Sequence, residues 1–306
     1  MWTLLAFISA LCLGCYDVSK KIALRSNAVV DVLTISICIS ALILLVPLLL
    51  SRCCPEMMNG TLFFVPEMDM QAHLYTLLKS VIVLSSWVCA YISMKHLPLS
   101  VVSPMQATRP MWTLIGALLL FDEHLNNWQW AGVLLAICSV FIFSLGKRRS
   151  SDATDRSFNR YHLFLALAIL TGACSGLYDK YLMRNYDHNA VQVYYTLYQA
   201  VMMLGVRAII RSYDHAIRHS QRKVRLPANL LSIILISVFL VISDNTYMLA
   251  LSDPDSMIAV VSTIRRGGTL IGFGYGLLFL HEPVSWRKRL CMAGIIAGLL
   301  CLAIGA

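Results

Sequence analysis

The sequence predicts an all-α membrane protein: ten transmembrane helices arranged as two inverted five-helix repeats around a central cavity. Three observations predict it. Of the 306 residues 58% are hydrophobic and only 13% are charged, apolar runs of spanning length recur along the whole chain, and the two halves match each other internally. Soluble domains carry about 25% charged residues. A bilayer core about 30 Å thick takes about 20 apolar residues per helix, so the chain has room for ten spans with short connections.

The apolar runs fall at 2–24, 28–50, 73–95, 98–120, 127–146, 161–184, 188–210, 228–251, 254–280 and 286–305. Met1 to Cys15 lacks the basic start of a signal peptide and its apolar run continues, so it reads as the first span. Arg25-Ser26-Asn27 separates spans 1 and 2, and Leu97-Pro98 and Asp253-Pro254 mark tight connections, because proline disfavours helix at the residue before it. The organisation follows: residues 1–146 are the first repeat, 147–160 a basic linker and 161–306 the second repeat. The segment 51–71, with Pro55, Pro66 and the apolar patch Leu62 to Val65, reads either as an interfacial helix or as a loop.

The formal charge of +9 does not indicate nucleic acid, since the basic residues lie between apolar runs and not on one amphipathic face. They cluster after spans 1, 3, 5, 7 and 9, as in Lys147-Arg148-Arg149, Arg222-Lys223 and Arg287-Lys288-Arg289. The opposite side offers Arg52 and Arg184 beside several acids. Positive loops stay cytoplasmic, so both termini are expected outside. The short loops suit a bacterial inner membrane, where the Asn59-Gly60-Thr61 sequon would be a chance match. The ten cysteines lie mostly inside apolar spans, where they pack as small hydrophobes, and Cys53-Cys54 reads as a pair of membrane-edge thiols.

Residues 87–116 align with 243–272 without a gap, at an offset of 156. Identical pairs are Tyr91/Tyr247, Pro98/Pro254, Ser100/Ser256 and Arg109/Arg265, followed by Thr113-Leu114-Ile115-Gly116 against Thr269-Leu270-Ile271-Gly272. Five spans per repeat is an odd number, so the second copy enters the bilayer upside down. Inverted repeats place a substrate site near the midplane and allow alternating access between two states.

With two five-helix repeats, each closing on a Gly-rich helix, an acid and a short span (Gly116 to Glu123 with Gly132; Gly272 to Glu282 with Gly294 and Gly298), the chain resembles the EamA-type drug/metabolite transporter superfamily. The resemblance covers nearly the whole chain and implies a central cavity lined mainly by helices 1, 3, 4, 6, 8 and 9. Arg109 in helix 4 and the tandem Arg265-Arg266 in helix 9 also resemble, distantly, the basic residues by which the plastid phosphate translocators of that superfamily grip a phosphate. That likeness implies an anionic substrate, not a sugar phosphate in particular.

A charge at bilayer depth costs about 2.5–3.5 kcal/mol or more, so each such residue is a functional candidate. Arg109, Arg265 and Arg266 lie near mid-span, and the repeat equates Arg109 with Arg265. Guanidinium offers a fork of donors suited to carboxylate or phosphate. The arginines either hold a substrate anion or are neutralised within the protein and fix helix packing. Asp244 is the expected internal partner, and the counter-ion role is favoured for it over that of a proton carrier. Arg266 points about 100° away from Arg265 on a regular helix, so both line one site only if Gly267-Gly268 makes that helix irregular. Tyr91, Tyr247 and Trp112 are candidates for cavity lining; as aromatics on apolar helices they would equally serve as packing. Asp17 with Lys20 and Lys21 in helix 1, and Tyr178, Asp179 and Lys180 in helix 6, are candidates for a gate or an internal ion pair at each end of the cavity. Lys79 is expected to snorkel to the outer interface.

The leading reading is a secondary transporter or exchanger of a small organic anion, phosphorylated or carboxylated. Export of amino acids or other zwitterions and lipid-headgroup flipping are the alternatives. No Walker loop and no His/Cys/Asp cluster with ligand spacing is present, so direct ATP coupling, a metal site and a membrane enzyme are all disfavoured, and no cofactor is expected. The expected partners are the bilayer and a small substrate. The chain is expected as a monomer or homodimer, with Gly294-xxx-Gly298 as a close-packing face.

Overall fold

The computed structural model describes residues 1–24, 27, 29–96, 109–122, 124–145, 157–218, 230–268, 271 and 286–305. Ten helices longer than one turn stand among them: α1 Trp2–Leu24, α2 Val29–Cys53, α3 Met70–His96, α4 Arg109–Leu120, α5 Asn127–Leu145, α6 Ser157–Asn185, α7 His188–Arg218, α8 Leu230–Ser252, α9 Ile258–Arg266 and α10 Trp286–Gly305. They correspond one to one with the ten apolar runs. The first half of the expected fourth span and the second half of the ninth lie outside the described residues. The chain is a multi-pass membrane protein. α1, α2, α3, α6 and α8 carry described stretches long and apolar enough to cross a bilayer, and α4 and α10 carry shorter ones.

Much of the helix pairing is symmetric under exchange of the halves. α1 packs along α8, and its counterpart α6 packs along α3. α2 meets α8 as α7 meets α3, and α1 meets α9 as α6 meets α4. Of the other contacts, α5 with α10, α2 with α7 and α4 with α9 join a helix to its own repeat partner, while α8 also packs on α6 and α7.

Lipid tails are as apolar as leucine, so close association in a bilayer relies on small side chains and interhelical hydrogen bonds. Both occur. Ser9 Oγ donates to Ser243 O at 2.8 Å and Ser243 Oγ returns a bond to Ser9 O at 3.0 Å, tying α1 to α8. Ser86 Oγ donates to Ala168 O at 2.9 Å between α3 and α6. The Gly294–Gly298 face packs within the chain: a Cβ at Gly298 would stand 2.9 Å from Gly132 O of α5, and one at Gly132 would stand 2.8 Å from Gly298 O.

Between α2 and α3 the chain forms a one-turn helix, Pro55–Met58, followed by turns and an extended stretch, which resolves the two readings of 51–71 in favour of a folded loop. It is tied down. Val65 N donates to Ser51 Oγ at 3.1 Å, and Asn189 at the start of α7 donates to Leu62 O and Phe64 O. Val65 is buried while Leu62 and Phe63 are exposed.

Candidate functional site

α8 and α9 bring Asp244, Tyr247 and Arg265 together. The Arg265 guanidinium is ion-paired and hydrogen-bonded to Asp244 through one carboxylate oxygen. The Arg265 side chain also lies over the Tyr247 ring, 4.2 Å from its centroid, and reaches Ser243 Oγ at 3.4 Å. Tyr247 and Ser243 are buried, so the guanidinium stands against a dry wall. Arg265 Nε is itself buried and has no acceptor among the described residues.

Arg109 opens the described part of α4, and its guanidinium donates to Gly172 O of α6 at 2.6 Å. Gly172 is required there. A Cβ at that position would stand 2.6 Å from Arg109 Cζ, so only glycine lets the fork lie flat on the α6 backbone. Arg109 has no carboxylate within ion-pair distance among the described residues, and it lies within Coulombic reach of Arg265, Arg266 and Tyr247. The repeat-related arginines therefore converge on one region.

α9 stays helical through Arg266 and then tightens. Gly267 N bonds Ile264 O at 2.8 Å and Gly268 N bonds Arg265 O at 3.3 Å, each three residues back. The expected irregularity follows the arginine pair directly, and Arg266 remains within Coulombic reach of Arg109, Arg265 and Asp17. The close approach of α9 to α1 rests on glycine too, because a Cβ at Gly14 would stand 2.5 Å from Gly268 O.

Asp17 in α1 is exposed and within Coulombic reach of Lys20, Arg266 and Arg265. Lys20 Nζ lies 5.5 Å from the Tyr16 ring centroid. The side chains of Lys21 and Tyr91 lie outside the described residues. Trp112 is 41% exposed and is not enclosed with the arginines.

The arrangement at the other end differs from the sequence expectation. Lys79 does not snorkel: it is 2% exposed and pairs with Asp179 at 3.1 Å. Its Nζ stands 4.3 Å from the Tyr195 ring centroid, with Met248 Sδ at 4.0 Å. Asp179 thus uses a lysine from α3 as its ion-pair partner. The neighbouring Lys180, 0% exposed, donates to Leu251 O and Asp253 O at 3.3 Å each, to Ser256 O at 2.6 Å and to the Ser256 hydroxyl. A buried ammonium at the carbonyl end of α8 completes bonds that the helix cannot make and meets its negative pole. Consecutive residues on a helix point about 100° apart, which is why Asp179 and Lys180 serve different neighbours. Tyr178 donates to Tyr75 O at 3.1 Å and stacks on Tyr181, within an aromatic group at that end and apart from the arginines.

The sequence reading did not single out a set of buried amides. Asn189, Gln192, Thr196 and Gln199 lie on one face of α7 at helical spacing, all buried. Asn245 Nδ2 donates to Asn189 Oδ1 and Gln192 Oε1, and Gln192 Nε2 donates to Val241 O. A small cavity lined by Ser40, Trp87, Gln192, Thr196 and Gln199 reaches Asp244. The signal was present as polar residues three and four apart inside an apolar run, but uncharged amides do not stand out in a search for intramembrane charge.

No curated protein matches this sequence. A solved crystal structure superposes with a TM-score of 0.75, covering 99% of this chain and 96% of its own at 10% identity, which shows a shared fold. The comparisons do not extend the likeness to the plastid phosphate translocators. Residues 1–145 match the EamA-like transporter family, so the first of the two repeats is similar to that family of membrane transporters.

Proposed function

We propose that this protein moves a small organic anion, phosphorylated or carboxylated, by alternating access through the arginine-lined centre. The observation that carries the reading is the charge balance around Arg265. Arg109, Arg265 and Arg266 lie within mutual Coulombic reach, with Asp244, Asp17 and the Lys79-paired Asp179 as the carboxylates within reach of them. One of those carboxylates, Asp17, is exposed, and Arg265 Nε is a buried donor with no acceptor among the described residues. Desolvated, pre-positioned guanidinium groups favour an oxyanion far more than groups in water do. The exchange symmetry of the helix contacts supports two access states of similar energy, as inverted repeats do elsewhere. A bacterial inner membrane with both termini outside fits the distribution of Lys and Arg in the loops.

The test is thermal stabilisation of the purified protein by organic phosphates, carboxylates and amino acids, followed by uptake into proteoliposomes. A ligand at 100 times its Kd stabilises by about 2.7 kcal/mol. Anions should stabilise the wild type and lose most of that effect in Arg109→Ala and Arg265→Ala. Equal responses in wild type and both folded variants would make the arginines packing elements and favour the zwitterion or flippase alternatives.

A further inference from the structure

Equivalent positions of two inverted repeats have the same surroundings only when both ends of the molecule are equally closed, and here the ends differ. At one end α3 and α6 are tied. Lys79 pairs with Asp179 at 3.1 Å, the Tyr178 hydroxyl donates to Tyr75 O at 3.1 Å, and the Tyr75 ring lies 6.1 Å from those of Tyr181 and Tyr186. Lys180 fastens the α8–α9 connection to the same stretch of α6. The repeat maps these residues onto the other end, with α3 onto α8 at an offset of 156 and α6 onto α1 through Gly176 and Gly14. There Leu231 and Leu235 replace Tyr75 and Lys79, and Val18, Ser19 and Leu24 replace Lys180, Tyr181 and Tyr186. The tyrosine and the carboxylate recur, as Tyr16 and Asp17. Burial follows the substitutions: Lys79 is 2% exposed where Leu235 is 38%, and Asp179 is buried where Asp17 is exposed.

Resting on the alternating-access reading above, we propose that Lys79 and Asp179, backed by Tyr75 and Tyr178, are a latch that holds the α3–α6 end of the transporter shut and leaves the Asp17 end as its entrance. Inverted repeats exchange conformations between access states, so the end that is shut in one state is open in the other. Much of the helix pairing repeats under exchange of the halves, which keeps the two states close in energy. A single tie present at one end then decides which state is populated, because an equilibrium near balance responds to a small differential interaction. The bias is written into the chain, since Leu235 offers Asp17 no counterpart of Lys79.

The test moves the latch from one end to the other. Hydrogen exchange of the full-length protein in detergent is followed at the latched ends of α3 and α6, around Tyr75 and Asp179, and at the equivalent ends of α8 and α1, around Leu231 and Asp17. In Lys79→Leu combined with Leu235→Lys, exchange should quicken about tenfold at the first pair of segments and slow about tenfold at the second, the factor expected for one charged hydrogen bond lost and one gained. Leu235→Lys alone, which keeps the native pair, should move both ends in the same directions by a smaller factor, and it serves if the double variant does not fold. Faster exchange at the first pair without slowing at the second would make Lys79 a packing residue and overturn the latch, as would unchanged exchange at both ends. Uptake of organic phosphates and carboxylates by the wild type in proteoliposomes separates this proposal from the anion reading. Uptake without the reciprocal change in exchange overturns the latch alone. The reciprocal change without uptake supports the latch and overturns the anion reading.

Discussion

Lys79 Nζ stands 3.1 Å from Asp179 Oδ1, buried between Tyr195 and Met248, and this pair joins α3 to α6 at one end of the arginine cluster. At the same offset of 156 the other repeat carries Leu235 in place of the lysine. The counterpart of Asp179 is Asp17, since Gly14-Cys15-Tyr16-Asp17 matches Gly176-Leu177-Tyr178-Asp179. Asp17 stays exposed and near Arg266. The two related carboxylates thus have different fates, one tied across helices and one open.

Breaking the tied pair from one side leaves a charge buried without its partner. Lys79→Met should destabilise the folded protein by about 3–5 kcal/mol, and Lys79→Met with Asp179→Asn should recover a large part of it. A double-mutant cycle on unfolding in mild detergent reads this. Additive losses would show that the pair is not coupled.

Gly172 should matter through Arg109 alone. In Gly172→Ala the new methyl displaces the far end of a flexible side chain, so the fold is retained while the guanidinium loses its seat on the α6 carbonyl. The anion response should fall as it does in Arg109→Ala, with melting temperature near the wild type. A wild-type anion response in Gly172→Ala would separate Arg109 from anion binding.

Gly132 and Gly298 meet backbone to backbone. Gly298→Val should force α5 and α10 apart and cost about 1–3 kcal/mol, the usual range for overpacking. The measurement is the melting temperature, and an unchanged value would mean that the helices separate freely.

Lys180→Met should remove the donor to Ser256 O, at about 1–3 kcal/mol, while Leu251 O and Asp253 O keep their bonds from Ser256. Hydrogen exchange should rise at the α8–α9 connection more than elsewhere. A uniform rise would assign Lys180 to general stability and not to that cap.

Orientation is open to direct chemistry. Cys53 and Cys54 are exposed at the end of α2. With the loops placed by their positive charge, a membrane-impermeant maleimide added to intact cells should label them, and their double serine variant should lose that label. Labelling only after lysis would invert the topology.

By itself the sequence determined the ten helices, the match between the halves and the arginines inside their spans, because these rest on properties local to the chain; α6 and α7 extend into the basic loops beyond the apolar runs. Apolar length sets a span, and a charge inside it is costly wherever the neighbours lie. The Arg265–Asp244 pair was legible for the same reason: two opposite charges inside adjacent spans have few other partners. Tertiary structure alone decided which partner each remaining charge takes. Lys79 reads as an interfacial lysine until α6 is seen to deliver Asp179, and Lys180 reads as the partner of Asp179 until helix geometry turns it toward the end of α8. The amides of α7 carry no charge, so their place around a cavity beside Asp244 emerges only when α2, α3 and α8 close over them. Partner choice depends on distances between residues remote in sequence, and helix packing sets those distances.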